Sequence, residues 1–215
     1  MAFVELTPTP EYLIKSISEQ GYKLETAIAD LIDNSISNGA DRIEVLLNTT
    51  SRPFMFFISD NGRGMDQETL QASMRYPSAS IDTSRKKEDL GRFGLGLKTA
   101  SFSQSRHFTV MSRTTDKTEF IGLTWDIKHL QKQGWYAKVE NSEEIKHLLS
   151  EYTKTSESYL GEFDKTFTPK TVVIWRGLYK FEDYISEHDS SEVLKTELTE
   201  RTRGYLALVF HRFFE

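Results

Sequence analysis

The strand candidates of this chain arrive in adjacent pairs, and that order constrains the fold more than any other feature. "RIEVLLN" and "PFMFFIS" follow one another, and so do "HFTVMSR" and "EFIGLTWD", joined across "TTDKT" as a plausible hairpin. "TVVIWRG" comes later as a buried strand. All are rich in β-branched and aromatic residues, the composition of a pleated, packed surface. A doubly wound nucleotide fold needs strands that alternate with crossover helices. Here the order is helix, helix, strands, helix, loop, helix, strands. It predicts an α+β two-layer sandwich, with a mixed, largely antiparallel sheet and helices on one face. The 215 residues fit one domain, and 38% hydrophobic residues with 12% aromatic are enough for a core.

The helices carry their own boundaries. Thr9 is placed as a cap and Pro10 at the first position of a helix through "EYLIKSISEQ", which ends before Gly21. A second helix runs through "LETAIADLIDNSISN". Leu24, Ala27, Ile28, Leu31 and Ile32 follow the three-four spacing of one buried face, and Gly39 closes it. "DQETLQASM" is a helix with Asp66 near its amino end, and "GLKTASFSQ" begins another. "NSEEIKHLLSEY" is capped by Asn141 or Ser142. The segment from Ser190 onward is helical. Tyr76 to Leu90 is polar and aperiodic, a long loop of a kind that is uncommon unless functional. Trp125, Trp135 and Trp175 are expected in the core.

Three stretches carry chemistry. In the second helix Asp30 and Asn34 lie four apart, one turn above the other, and the apolar residues beside them suggest an inward face. An inward carboxylate can take a proton from water, and an amide oxygen is a hard ligand suited to Mg²⁺. An ordinary helix with polar residues near its end would look the same. The second stretch, "SDNGRGM", puts Asp60 at a strand end, followed by Gly62, Gly64 and Met65. A carboxylate there can accept a hydrogen bond from an exocyclic amine. The glycines let a flat ring approach the backbone, and the Met65 thioether can pack on that ring. The same residues are also ordinary turn material.

The third stretch is "GRFGLGLKTAS". A P-loop needs Lys and Ser/Thr directly after its second glycine, and Leu97 intervenes. A dinucleotide fingerprint needs a third glycine where Thr99 stands. The stretch therefore satisfies neither motif. Its glycines still leave backbone N–H groups free to face phosphate oxygens, the helix beginning near Gly96 adds a positive dipole end, and Lys98 adds a full charge.

Composition excludes several classes. The net charge of -5 does not support a nucleic-acid surface as the main feature, and the Arg85, Lys86, Lys87 cluster is taken as a solvated loop. With no cysteine there are no disulfides and no thiolate metal sites, which suits a cytoplasmic, intracellular protein. "MAFVELTPTPEY" lacks the features of a signal peptide, and "YLALVF" is far too short to span a bilayer. The five histidines form no metal-ligand spacing and are taken as surface or packing residues.

Taken in order, "DLIDNS", "DNGRGM" and "GRFGLGLKTAS" resemble the GHKL superfamily of ATPases, whose nucleotide site is the Bergerat fold. The likeness is nearest to its chaperone-like (Hsp90-like) and MORC-like branch. It covers Glu25 to Arg113, and "TVVIW" extends it to Thr171 and just beyond. The resemblance implies ATP and Mg²⁺ as ligands. Asn34 would hold Mg²⁺. Asp60 would bind the adenine amino group, with Gly62, Gly64 and Met65 against the ring. The backbone of Arg92, Phe93, Gly94, Leu95, Gly96 and Leu97, together with Lys98, would hold the phosphates. Thr171 would support the adenine through Asp60 and water. Residues 1–189 would form the ATP-binding domain, with a lid at about 76–96 closing over the nucleotide. Residues 190–215 would form a C-terminal helix that starts a linker or transducer region.

One departure from the family pattern concerns catalysis. The usual Glu base is matched here by Asp30, one methylene shorter, which implies slow hydrolysis. The resemblance thus implies Mg²⁺-dependent ATP binding that drives lid closure and a conformational or ATP-dependent homodimerisation cycle. The alternative is a non-hydrolysing ATP-sensing interaction module. A histidine kinase is disfavoured, because His107, the first histidine, follows all three motifs. No membrane partner is implied, and the client, protein or nucleic acid, is not named by the sequence.

Overall fold

The computed structural model describes residues 9–19, 22–75, 96–160, 166–179 and 191–210. Residues 76–95 of the predicted lid at about 76–96, among them the phosphate-loop residues Arg92, Phe93, Gly94 and Leu95, lie outside the described residues. Helix α1 (Pro10–Ser18) starts where Thr9 and Pro10 predict. Thr9 takes the extended cap conformation, but its side chain makes no capping bond. Helix α2 (Leu24–Ser37) buries Leu24, Ala27, Ile28, Leu31 and Ile32 as its spacing requires. Gly39 ends it with φ 78°, in the left-handed region where glycine pays no steric penalty.

The strands are β1 (Ile43–Asn48), β2 (Met55–Asp60), β3 (His107–Ser112), β4 (Ile121–Asp126), β5 (Lys138–Val139) and β6 (Thr171–Arg176). They form one sheet in the order β1-β2-β6-β3-β4-β5. The predicted β3–β4 hairpin is present, and every pairing among the described strands is antiparallel. β6 arrives last yet sits in the middle, between the two hairpins. Its residues Val172 to Trp175 are all buried, and a strand apolar on both sides belongs at the centre of a covered sheet.

Alternation divides the side chains between two faces. On one face Phe56, Ile58, Phe108, Val110, Trp125, Val173 and Trp175 join a core completed by α1, α2, α3 (Gln67–Met74), α4 (Gly96–Gln104) and α5 (Ile127–Gln133). A last helix, α7 (Ser191–Val209), packs against α2, where its Arg201 pairs with the buried Glu25. Beyond the helices gathered on that expected face, α6 (Ser142–Leu160) lies on the other. It covers Leu46, Met55, Phe57, Met111, Val172 and Ile174 on the opposite face with Ile145, Leu148 and Tyr152. The physical reason is the run of consecutive apolar residues in β2 and β6, which leaves neither face fit for water. Asn141 is the cap of α6, since its Oδ1 accepts from the Glu144 N–H at 2.9 Å.

Two buried tryptophans lock the helices to the sheet. Trp175 stacks on Phe56 at 5.3 Å and donates from its indole to Ser101 of α4 at 2.9 Å. Trp125 donates to the Met74 carbonyl at the end of α3, at 3.1 Å. Both α3 and α4 are thereby tied to one core.

Candidate functional site

Three strands end in polar residues that lie side by side. Asp60 closes β2, Thr171 opens β6 and Ser112 closes β3, and the register places Asp60 opposite Thr171 and Thr171 opposite Ser112. All three follow the alternation of the face packed against α2 and α4. The Thr171 and Ser112 hydroxyls are 3.0 Å apart, and Ser112 also accepts from the Met65 N–H at 2.9 Å. A row of hydroxyls thus runs across the sheet end beside one carboxylate.

Asp60 is only 7% exposed. Its Oδ1 accepts from the Gly62 N–H and its Oδ2 from the Ser35 hydroxyl, each at 2.9 Å. Burial pushes its carboxyl above the ordinary range, while these two hydrogen bonds pull it back. The carboxylate is therefore fixed from two directions, by its own turn and by α2. The turn is shaped by Gly64, with φ 68°. A Cβ there would stand 1.9 Å from the Arg113 carbonyl oxygen, so only glycine lets the turn press against the end of β3. Met65, which follows, packs partly buried against the main core.

The α2 residues stand at the margin of this site. Asp30 and Asn34 are half-buried, which corrects the expectation that their face looks inward. The buried ridge of the helix is Ala27, Ile28, Leu31 and Ser35, and Asp30 and Asn34 flank it. The Asn34 amide nitrogen lies 3.9 Å from where a Cβ on Gly96 would sit, so its side chain faces the first residue of α4. The Asp30 Oδ2 accepts a hydrogen bond from the Tyr22 hydroxyl. Burial first, then this bond to Asp30, pushes the Tyr22 phenol upward. Asp33 is also pushed up, by burial and then by the neighbouring Asp30 charge.

In the third motif, Gly96 and Leu97 form the first turn of α4. Lys98 is fully buried, and its ammonium donates to the Ser73 carbonyl at 2.7 Å. That carbonyl belongs to the last turn of α3, where a positive charge is favoured, so the bond ties α4 to α3.

Sequence reasoning passed over Ser35, Ser112 and Tyr22. Ser35 continues the buried three-four ridge of α2, and Ser112 continues the alternation of Phe108 and Val110, so periodicity would have found both. Nothing local marks Tyr22. No group of three or more His, Cys, Asp or Glu side chains is placed to hold a metal among the described residues. An apolar cavity of about 670 Å³ lies elsewhere, among α2, β1, β2 and α7, lined by Leu24, Leu47, Phe56 and Leu206 among others. Among the described residues, no helix is long and apolar enough to cross a membrane.

Comparison with known proteins bears on this geometry. Residues 22–158 match the family model described as histidine kinase-, DNA gyrase B-, and HSP90-like ATPase. The DNA mismatch repair protein MutL of Prosthecochloris aestuarii is 31% identical over 111 residues, covering 50% of this chain and 18% of that protein. MutL of Chlorobium luteolum is 33% identical over 93 residues, covering 42% and 15%. MutL of Microcystis aeruginosa is 34% identical over 98 residues, covering 43% and 17%. The chain thus spans less than a fifth of the length of these relatives. The family match covers more than half of the chain and all the described residues of the site except Thr171 and its neighbours in β6, and on that ground the chain belongs to the GHKL family of histidine kinase-, gyrase- and chaperone-like ATPases.

Proposed function

We propose that this chain binds ATP together with Mg²⁺ and hydrolyses it slowly. The observation that carries this reading is the buried Asp60, hydrogen-bonded to Ser35 and Gly62 and set beside the Thr171–Ser112 hydroxyl pair. An acceptor held this firmly at a sheet end suits the exocyclic amine of adenine, and Met65 and Gly64 stand beside it for the ring. Gly96 and Leu97, in the first turn of α4, offer free backbone N–H groups to phosphates. The Asn34 amide, facing that turn, is the hard oxygen donor that would hold Mg²⁺. When bound, Mg²⁺ neutralises charge on the phosphate oxygens.

Asp30 is assigned the proton transfer. Its carboxylate accepts a proton from water as the water oxygen bonds to the γ-phosphorus. The bond from that phosphorus to the bridging oxygen breaks, and the electron pair leaves on ADP. Lys98, with its ammonium on the Ser73 carbonyl, positions α4 against α3. The wording of the three motifs supports the chaperone-like and MORC-like branch, whereas the curated relatives are MutL proteins. By resemblance, closure of the segment at 76–96 and ATP-dependent pairing of two copies would follow binding.

The test is turnover of ATP by wild type and Asp30→Ala, beside calorimetric titration with a non-hydrolysable analogue with and without Mg²⁺. Mg²⁺-dependent binding in both proteins, with phosphate release lost in the variant, is the expected result. Equal turnover in the two would refute Asp30 as the base. Binding by both without any turnover would establish the second reading, a nucleotide-sensing module. That reading is favoured by Asp30 itself, whose carboxylate is one methylene shorter than that of the usual glutamate.

A further inference from the structure

We infer that Tyr22 is a positioning residue for Asp30, holding one carboxylate oxygen so that the other takes the proton of the attacking water. This rests on Asp30 being the base, as proposed above. Tyr22 precedes α2 and lies eight residues before Asp30, so its hydroxyl reaches the carboxylate across the start of the helix rather than through helical spacing. The tyrosine is itself held. Its backbone carbonyl accepts from the Gln104 side chain at 2.9 Å, and Gln104 is the buried last residue of α4. Its ring packs, partly buried, against the main core, and Tyr205 of α7 lies close enough to act on its phenol. The hydroxyl is thereby referred to the same helix whose first turn faces Asn34.

Two physical points give the contact a catalytic meaning. The phenol is pushed above its ordinary value, so it remains a proton donor throughout the working pH range. A donor to a carboxylate makes a charge-assisted bond, which fixes direction as well as distance. Aspartate also places its carboxylate one methylene closer to the backbone than the usual glutamate, so its aim depends more on what holds it. A bond that only stapled residue 22 to α2 would affect stability and nucleotide affinity together. A positioning bond affects the chemical step.

The experiment compares wild type, Tyr22→Phe, Asp30→Glu and the double variant, each checked for cooperative thermal unfolding. The expected result for Tyr22→Phe is a fall in kcat of about 10- to 100-fold, the scale of a small misplacement of a reacting group. Its KM for ATP and its affinity for the non-hydrolysable analogue should stay within about twofold of wild type, since neither reports the chemical step. Asp30→Glu, with its longer reach, should restore part of the lost kcat in the Tyr22→Phe background. Wild-type turnover with an unchanged kcat in Tyr22→Phe would overturn the role of Tyr22 and leave Asp30 standing. So would equal losses in kcat and affinity, or an Asp30→Glu effect that is the same factor in both backgrounds. A wild type that binds the analogue and releases no phosphate would overturn both assignments at once.

Discussion

Replacing Asp60 by Asn is the substitution that most directly tests where the base of the nucleotide sits. The structure lets the fold absorb it. The amide oxygen can keep the bond from the Gly62 N–H, now made at 2.9 Å, and the new amide group can donate to Ser35. The Ser35 proton is then free for the Leu31 carbonyl, already 3.2 Å away. Both of the present hydrogen bonds have a counterpart, and a carboxylate whose ionised form is penalised by burial is removed. The melting temperature at neutral pH should therefore stay level or rise. Binding should not survive as well. An amine of adenine loses a charged acceptor, a loss of about 1.5–3 kcal/mol, which corresponds to roughly 10- to 100-fold in affinity. Calorimetric titration with a non-hydrolysable ATP analogue and Mg²⁺ measures it. A folded Asp60→Asn protein that binds as tightly as wild type would show that adenine does not rest on this residue.

The same substitution carries a pH signature. The folded-state value of Asp60 is raised, so between the ordinary carboxylate value, about 4, and that raised value the folded chain holds more protons than the unfolded one. By linkage, the contribution of Asp60 to stability grows as pH falls through the raised value and declines as pH rises through it. Any stability advantage of Asp60→Asn at neutral pH should shrink on acidification toward that ordinary value. A constant advantage would mean that the carboxyl is not perturbed by burial.

Two further predictions separate the site from the scaffold. Gly64→Ala should destabilise by about 2–5 kcal/mol, from the left-handed backbone and the overlap with the Arg113 carbonyl, and a chemical-denaturation midpoint close to wild type would refute it. Tyr152→Phe removes a buried hydroxyl that donates to Glu44 at 2.6 Å and accepts from Ser59 at 3.0 Å. It should cost about 1–3 kcal/mol of stability and leave nucleotide affinity unchanged, because it belongs to α6, on the other face of the sheet; an altered affinity in the titration would contradict that separation.

The placement of the site was only partly legible in the sequence. The glycines and Asp60 of "DNGRGM" announced a turn at a strand end, and the turn is there. The helix opening at Gly96 was visible as well, because a glycine-rich approach gives way to "GLKTASFSQ". The orientation of Asp30 and Asn34 was not. Three-four spacing marks a ridge, but side chains at its edge are turned by what packs on the helix, and α4 stands beside Asn34. Lys98 shows the same limit. Its ammonium donates to the Ser73 carbonyl, a partner that the packing of α4 against α3 supplies and no local pattern names.

The sequence by itself determined most of the elements and the class of the fold. Those depend on short-range periodicity, caps and turns, which act within a few residues of each other. Only the tertiary structure decided that β6 enters between the two hairpins, that α6 covers the second face, and that Asp60, Thr171 and Ser112 stand in one row. Tertiary packing likewise brought Ser35 to Asp60 and Tyr22 to Asp30. Such pairings join residues distant in the chain, and their partners are selected by the burial of whole faces, which no local pattern encodes.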